Sequence, residues 1–317
     1  MYYDRRIPDD LIDLLLPDAP LGWLLSWLTS DTASAAGAHV QTRANRRGRK
    51  RGGIQLYLGR TSPLEVRGRP GGRVRLHADR TYTAMAPELF DRDLDRAELA
   101  RLARRLEAHA ERAAGSALTS FLDGEAVIHA GLMRLYGPLA TMTAPFLALD
   151  SEARVGFDSK ADQQAFEASL PGVVGLPPGE AVPRKLDVVA VGPDARLLLV
   201  EVKPDAKGLT RAGWQAAVHV ARFRTLLAEP DDWYREVLGG VARQKDRVGL
   251  LGRAWPIPFD AEPTLTPVVA APDPRPGWQA AWRRELSPVV AASNGMLDGL
   301  RMWRLRGDGT LLEDVSA

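Results

Sequence analysis

The chain has 317 residues, of which 45% are hydrophobic and 26% charged, and its 42 basic and 40 acidic residues leave a formal net charge of +2. That balance describes a soluble globular chain of one large domain or two, with any basic character local and not global. The absence of cysteine excludes disulfides, thiolate chemistry and cysteine-based zinc sites.

In chain order, residues 1–30 read as helical with proline breaks. Pro17, Asp18 and Pro20 interrupt the leucine-rich part. What remains, Leu21–Leu28, is too short to span a membrane and lacks the basic start of a signal peptide. A cytoplasmic protein with no membrane partner is expected. Residues 31–39 are small and polar, like a loop. Then comes Arg43-Ala44-Asn45-Arg46-Arg47-Gly48-Arg49-Lys50-Arg51, six of whose nine residues are basic. Strands are expected at 54–60, 63–69 and 73–79, with Pro70-Gly71-Gly72 as the turn between the last two. Arg60, Arg67, Arg69, Arg73 and Arg75 carry the basic bias into this region. Such a surface attracts phosphate backbones, largely without regard to sequence. Arg43, Arg46, Arg47, Arg49, Lys50 and Arg51 are therefore candidates for nucleic-acid binding, and Tyr57 and Tyr82 are candidates to stack on bases, although structural roles compete.

A long amphipathic helix is expected from about Arg92 to Leu122. Ile128, Leu132 and Leu135 then mark a second helix, which Asp123 can cap. Strands at 145–149 and 153–157, a short helix at 161–169 and a proline-rich loop at 171–183 follow. Helices at Gly208–Glu229 and 231–245 and a strand at 265–271 complete the proposed core. The tail, 276–317, reads as a helix and a hairpin turning at Gly307-Asp308-Gly309.

The chemistry concentrates between these elements. Residues 186–191 (Leu-Asp-Val-Val-Ala-Val) and 197–203 (Leu-Leu-Leu-Val-Glu-Val-Lys) have strand character, and Gly192-Pro193-Asp194-Ala195-Arg196 is rich in turn formers. Alternation puts Glu201 and Lys203 on one face and Val200 and Val202 on the other. An odd-numbered loop places Asp187 opposite Glu201 on the same face; an even one turns the carboxylates apart. The odd register is expected. Two hard carboxylates suit Mg²⁺ or Mn²⁺, and a neighbouring lysine supplies a point charge near the reacting group. Only six of the 42 basic residues are lysines, and Lys185, Lys203 and Lys207 cluster at this motif. A Glu-x-Lys pair alone is more often a solvated face. The hairpin and Asp187 raise it above that.

Asp187 followed by Glu201-Val202-Lys203, with a helix beyond, resembles the PD-(D/E)xK nuclease superfamily over residues 118–272. The resemblance implies a restriction-endonuclease-like αβββαβ core in the α/β class, with a mixed sheet, Mg²⁺ or Mn²⁺ as cofactor, and phosphodiester cleavage, mostly in DNA. One branch of that superfamily places a glutamine, and four residues later a tyrosine, on the helix after the lysine strand; this chain has Gln215 and His219. The resemblance makes Asp187, Glu201 and the Val202 carbonyl metal ligands, with Lys203 and Gln215 beside them. Glu125 is the candidate acid from the helix before the sheet, with Glu152, Glu167 and Glu180 as rivals. Lys185 and Lys207 would contact phosphate.

The expected organisation is an N-terminal β-rich basic module at 1–115, a nuclease core at 116–275 and a C-terminal segment at 276–317 packed on it. The expected function is a metal-dependent nuclease acting on DNA in preference to RNA. The alternative is an inactive nuclease fold that only binds nucleic acid. A homodimer would supply the two active sites that double-strand cleavage often needs, although no particular residue calls for one.

Overall fold

The computed structural model describes all residues except 45–51, 60, 121–123, 229–231, 253–255 and 274, together with the side chains of 118–120. Among the described residues it is a mixed α/β fold with two sheets. None of the described helices is long and apolar enough to cross a membrane.

Short helices α1 (Asp9–Ile12), α2 (Trp23–Leu28) and α3 (Asp31–Ala35) lead into β1 (Ala38–Arg43), β2 (Gly53–Leu58), β3 (Thr61–Gly68) and β4 (Val74–His77). After α4 (Arg80–Met85), the two-residue β5 (Asp93–Leu94) completes an antiparallel sheet in the order β1-β2-β3-β4-β5. Strand β1 starts where a loop was expected. His39 and Gln41 are buried together with Ala38 and Val40, so the strand lacks the alternation that would mark it in sequence.

Helix α5 (Arg96–Ser120) covers this sheet. Its start is fixed by a reciprocal cap: the Glu98 amide donates to Asp95 Oδ1 at 2.7 Å and the Asp95 amide to Glu98 Oε2 at 2.8 Å. This is why the helix begins after Asp95 and not at Arg92. Leu99, Leu102, Leu106, Ala110 and Ala113 form its buried stripe.

The second sheet carries the candidate site. Helix α6 (Gly124–Leu135) precedes β6 (Leu147–Ala153), and α7 (Lys160–Val174) separates β6 from the hairpin β7 (Leu186–Val191) and β8 (Arg196–Val202). Then come α8 (Leu209–Leu227), α9 (Gly239–Arg247), β9 (Thr264–Pro272), α10 (Trp278–Ala292), β10 (Arg301–Leu305) and β11 (Leu311–Ser316). The order is β11-β10-β9-β8-β7-β6. The β8–β9 and β9–β10 pairs are parallel and the others antiparallel.

Three expectations need correction here. The two strands expected at 145–149 and 153–157 are the single strand β6, irregular between Ala148 and Asp150, with Glu152 at φ 47°. Helix α7 runs on through Pro171 to Val174, where a loop was expected. Proline inside a helix costs about 3 kcal/mol. Full burial of Leu170 and Val174 against α8 and α10, at roughly 1.5–3 kcal/mol each, offsets that cost. Gly175 ends the helix at φ 66°, and a Cβ there would lie 1.9 Å from the Ala292 carbonyl oxygen. Finally, β9 does not close the sheet, because β10 and β11 extend it. The segment 276–317 is thus part of the second sheet's own structure. So is the N-terminus: Tyr2 bridges Gly156, and the Tyr3 hydroxyl donates to Asp150 at 2.7 Å.

Alternation sorts the hairpin between two cores. Val188, Ala190, Leu198, Val200 and Val202 pack with Ile128, Leu132 and Met133 of α6. Val189, Val191, Leu197 and Leu199 pack with Val220, Phe223 and Leu226 of α8.

Candidate active site

The site is built at the end of the β7–β8 hairpin. Its loop, 192–196, is closed by the Gly192 amide donating to the Arg196 carbonyl at 2.8 Å, with Ala195 at φ 61°. Five residues make an odd loop, and the pairing is the expected one: Val191 opposite Leu197 through Val188 opposite Val200. One further step sets Asp187 across from Glu201.

Beyond Val188 the strands stop exchanging backbone bonds and a side chain takes over. The Val202 amide donates to Asp187 Oδ2 at 2.8 Å. A strand residue's N–H and C=O leave by the same edge, so the Val202 carbonyl also points toward Asp187. Glu201, on the α8 face, is 1% exposed. Lys203 Nζ lies 3.5 Å from Glu201 Oε2, and His219 Nε2 of α8 lies 3.3 Å from Glu201 Oε1. That last approach is not an aligned hydrogen bond, since Glu201 Oε1 and both His219 ring nitrogens are buried without hydrogen-bond partners.

Burial pushes the Glu201 carboxyl well above the usual range, and neighbouring Asp187 adds to the rise. Burial likewise holds His219 well below its ordinary value, and Arg222 lowers it further. Both shifts favour the uncharged form of each partner. A cation placed between Asp187 and Glu201 would reverse the balance for Glu201.

Asp187, Glu201, the Val202 backbone and Lys203 are thus brought together. Gln215 is four residues before His219 on the same side of α8, and its Oε1 is buried without a partner. Glu125 stands differently. It lies in the first turn of α6, which packs on the opposite face of the sheet from Glu201. Its neighbour Gly124 abuts Pro204, just past Lys203, so the helix start reaches the same end of the sheet. Among the described residues no three Asp, Glu or His side chains form a metal-binding group, so Glu125 does not extend the Asp187–Glu201 pair into a cage.

Two carboxylates and a carbonyl nevertheless fit Mg²⁺ or Mn²⁺. Mg²⁺ is usually held by one or two carboxylates, with water and substrate phosphate completing its shell. The unpartnered Glu201 Oε1 and Gln215 Oε1 are acceptors of the kind such a cation and its waters would satisfy.

Of the nucleic-acid candidates, Arg46, Arg47, Arg49, Lys50 and Arg51 lie outside the described residues. Arg43 is engaged as a joint between the sheets: it donates to the Ser151 carbonyl at 3.0 Å and the Tyr57 hydroxyl at 3.1 Å. Lys185, 53% exposed, pairs with Glu152 at 3.0 Å, and Arg43 reaches the same Glu152 oxygen at 3.5 Å. Lys207 is exposed in a turn where Asp205 accepts its amide. Base stacking by the tyrosines is overturned. Tyr82 is fully buried, and the Tyr57 ring is stacked on His39 at 5.2 Å with Arg43 over it.

Two histidines neighbour the site. One is His219, which stands against Glu201 one turn beyond Gln215 on α8. The other is His129, whose Nε2 lies 2.6 Å from the Asp187 carbonyl and braces the strand that carries the first carboxylate. A histidine within the apolar stripe of α6 was its only mark. Comparison of the chain with protein-family profiles, curated proteins and solved structures gives no match.

Proposed function

We propose that the chain is a metal-dependent nuclease that hydrolyses phosphodiester bonds, in DNA in preference to RNA, and that its second sheet is a PD-(D/E)xK-type core. The observation that carries this reading is the convergence of Asp187, Glu201 and Lys203 at one end of β7–β8, with Glu201 buried and short of partners. The order α6-β6-β7-β8-α8-β9 supports it, being the αβββαβ sequence of such a core with α7 inserted after its first strand.

Asp187, Glu201 and the Val202 carbonyl would hold Mg²⁺ or Mn²⁺, which supplies activation of water and stabilisation of phosphate charge. Lys203 orients the attacking water and offsets charge developing on the phosphate; its amine is anchored by Glu201. Gln215 offers its amide to water or to a phosphate oxygen. His219 and His129 are positioning residues, the first behind the Glu201 carboxyl and the second behind the Asp187 backbone.

Asp187→Ala and Lys203→Ala, purified and folded, should each lose Mg²⁺- or Mn²⁺-dependent cleavage of plasmid DNA by at least about 100-fold, the scale of losing one general acid–base or charge-stabilising group. Undiminished cleavage by both variants would sink the assignment.

A second reading is a nucleic-acid-binding protein that retains the fold without the activity. It is favoured by the absence of a three-group metal cluster among the described residues and by the raised pKa of Glu201. Tight, salt-sensitive binding of plasmid and single-stranded substrates, with no cleavage across a Mg²⁺ and Mn²⁺ titration, would select it.

A further inference from the structure

Two adjoining hollows mark the rim of the first sheet. One, of about 320 Å³, is lined by Asp10, Arg69, Gly71, Gly72, Arg73 and Arg96 among others. The other, of about 380 Å³, is lined by Arg43, Glu65, Arg67 and Arg69 together with Gly52 and Gly53. Gly68 and Arg69 line both, so the hollows form one continuous groove. Among the described residues five arginines and two acidic residues face it.

The groove is open where it is most basic. Arg69 and Arg73 close a tight turn, the Arg69 amide donating to the Arg73 carbonyl at 2.8 Å. Between them Gly71 and Gly72 sit at φ 75° and 69°, and a Cβ on either would meet nothing within 4 Å. An approaching group can therefore reach the backbone between two guanidiniums. Local acids offset only part of the cluster: Arg67 donates to both Glu65 carboxylate oxygens, at 2.7 and 2.6 Å. Asp93 is shared between Arg69 at 3.6 Å and Arg75 at 3.9 Å, while Arg73 donates to the Asp93 carbonyl. Arg67, Arg73 and Arg96 are all exposed.

Among the described residues no aromatic side chain lines either hollow. Single-stranded nucleic acid is usually held by stacking its bases on aromatic rings beside a basic track. Arginines without stacking faces read phosphate, and a rigid duplex presents phosphates in a fixed array. One end of the groove also leads toward the carboxylates. Arg43 contacts Glu152, which holds Lys185, two residues before Asp187.

We propose that this arginine groove seats the phosphate backbone of double-stranded nucleic acid and directs the duplex toward Asp187 and Glu201. The inference rests on the nucleic-acid part of the proposed function and not on its chemistry.

The test is the binding of a short labelled duplex, and of one of its strands, by fluorescence anisotropy in EDTA over a salt series. Arg73→Ala combined with Arg96→Ala changes two exposed side chains and should leave the thermal midpoint unchanged. Each phosphate contact contributes about 0.9 to the slope of log affinity against log salt. The double variant should therefore lower the slope for the duplex by about 2, and the wild type should bind the duplex at least about 10-fold more tightly than the single strand. A wild-type slope in the double variant, or equal binding of the single strand, would overturn the proposal. Absence of cleavage, with the slope change intact, would end the nuclease reading and leave the groove standing; cleavage without the slope change would do the reverse.

Discussion

Two buried acidic centres lie within one sheet and are built in opposite ways. On β6, Asp150 accepts hydrogen bonds from the Tyr3 hydroxyl at 2.7 Å and Arg5 Nε at 2.8 Å. Buried Lys245 donates to the adjoining Leu149 carbonyl, and Arg43 donates to that of Ser151. Burial opposes the Asp150 charge, yet Arg5, Arg43 and Lys245 together hold its pKa below the usual carboxylate range. On β8, Glu201 has one lysine at 3.5 Å and a second carboxylate beside it, and its pKa is raised. Burial is common to both, and the sign of the surrounding charge decides the outcome. Surplus cation makes Asp150 an ionised joint between the N-terminus and β6. A deficit favours the uncharged form of Glu201.

The comparison breaks most visibly at Asp150. Asp150→Asn keeps the shape but leaves Arg5 and Lys245 buried without their counterion. Removing one partner of a buried ion pair costs about 3–5 kcal/mol, and urea unfolding of this variant should show a loss of that size. Glu201→Gln, which replaces a carboxyl whose charged form the fold disfavours, should lose far less. Equal losses would mean that the two centres do not differ as described.

A smaller effect sharpens the same contrast. Burial depresses the Lys245 pKa from 10.5 to about 8, against the pull of Asp150. Between about 8 and 10.5 the unfolded chain holds a proton that the folded chain has released, so this group's contribution to stability rises with pH across that window. The rise is on the order of 3 kcal/mol at 1.36 kcal/mol per pKa unit. Below the window Lys245 is charged in both states and its cost is constant. Lys245→Met should remove the rise, measured as the difference between wild-type and variant urea midpoints below and above the window. A variant with the wild-type pH profile would show that Lys245 is ordinarily solvated.

What the sequence made legible was local. The odd loop at 192–196, the alternation through Val200, Glu201, Val202 and Lys203, and the helix that carries Gln215 are all written within about forty residues. Hidden from it were contacts between distant segments: Tyr3 and Arg5 on Asp150, Arg43 on Ser151, and His129 on Asp187. No period or spacing encodes these, because each is fixed only when separate elements pack. Strand β1 was missed for a related reason. Its inward-facing His39 and Gln41 look like surface residues until Tyr57, Arg43 and the second sheet enclose them. Helix α7 outran its proline because tertiary burial outweighed local propensity.

The Glu201 side of the comparison can be tested without any turnover. A ligand that binds only the folded chain stabilises it by RT ln(1 + [L]/Kd), about 1.4 kcal/mol at ten times Kd. For a chain of this length that is a rise of roughly 3 °C in thermal midpoint. Mn²⁺ should produce such a rise in the wild type and not in Glu201→Gln or Asp187→Asn, each of which lacks one carboxylate. The rise should also be larger at higher pH, because a raised Glu201 pKa means that ion binding must expel a proton. The Asp150 centre predicts the opposite for its own variants: Lys245→Met leaves Asp187 and Glu201 untouched and should keep the full Mn²⁺ response. An equal rise in Glu201→Gln would move the ion elsewhere and leave Glu201 a buried acid with no ligand to explain it.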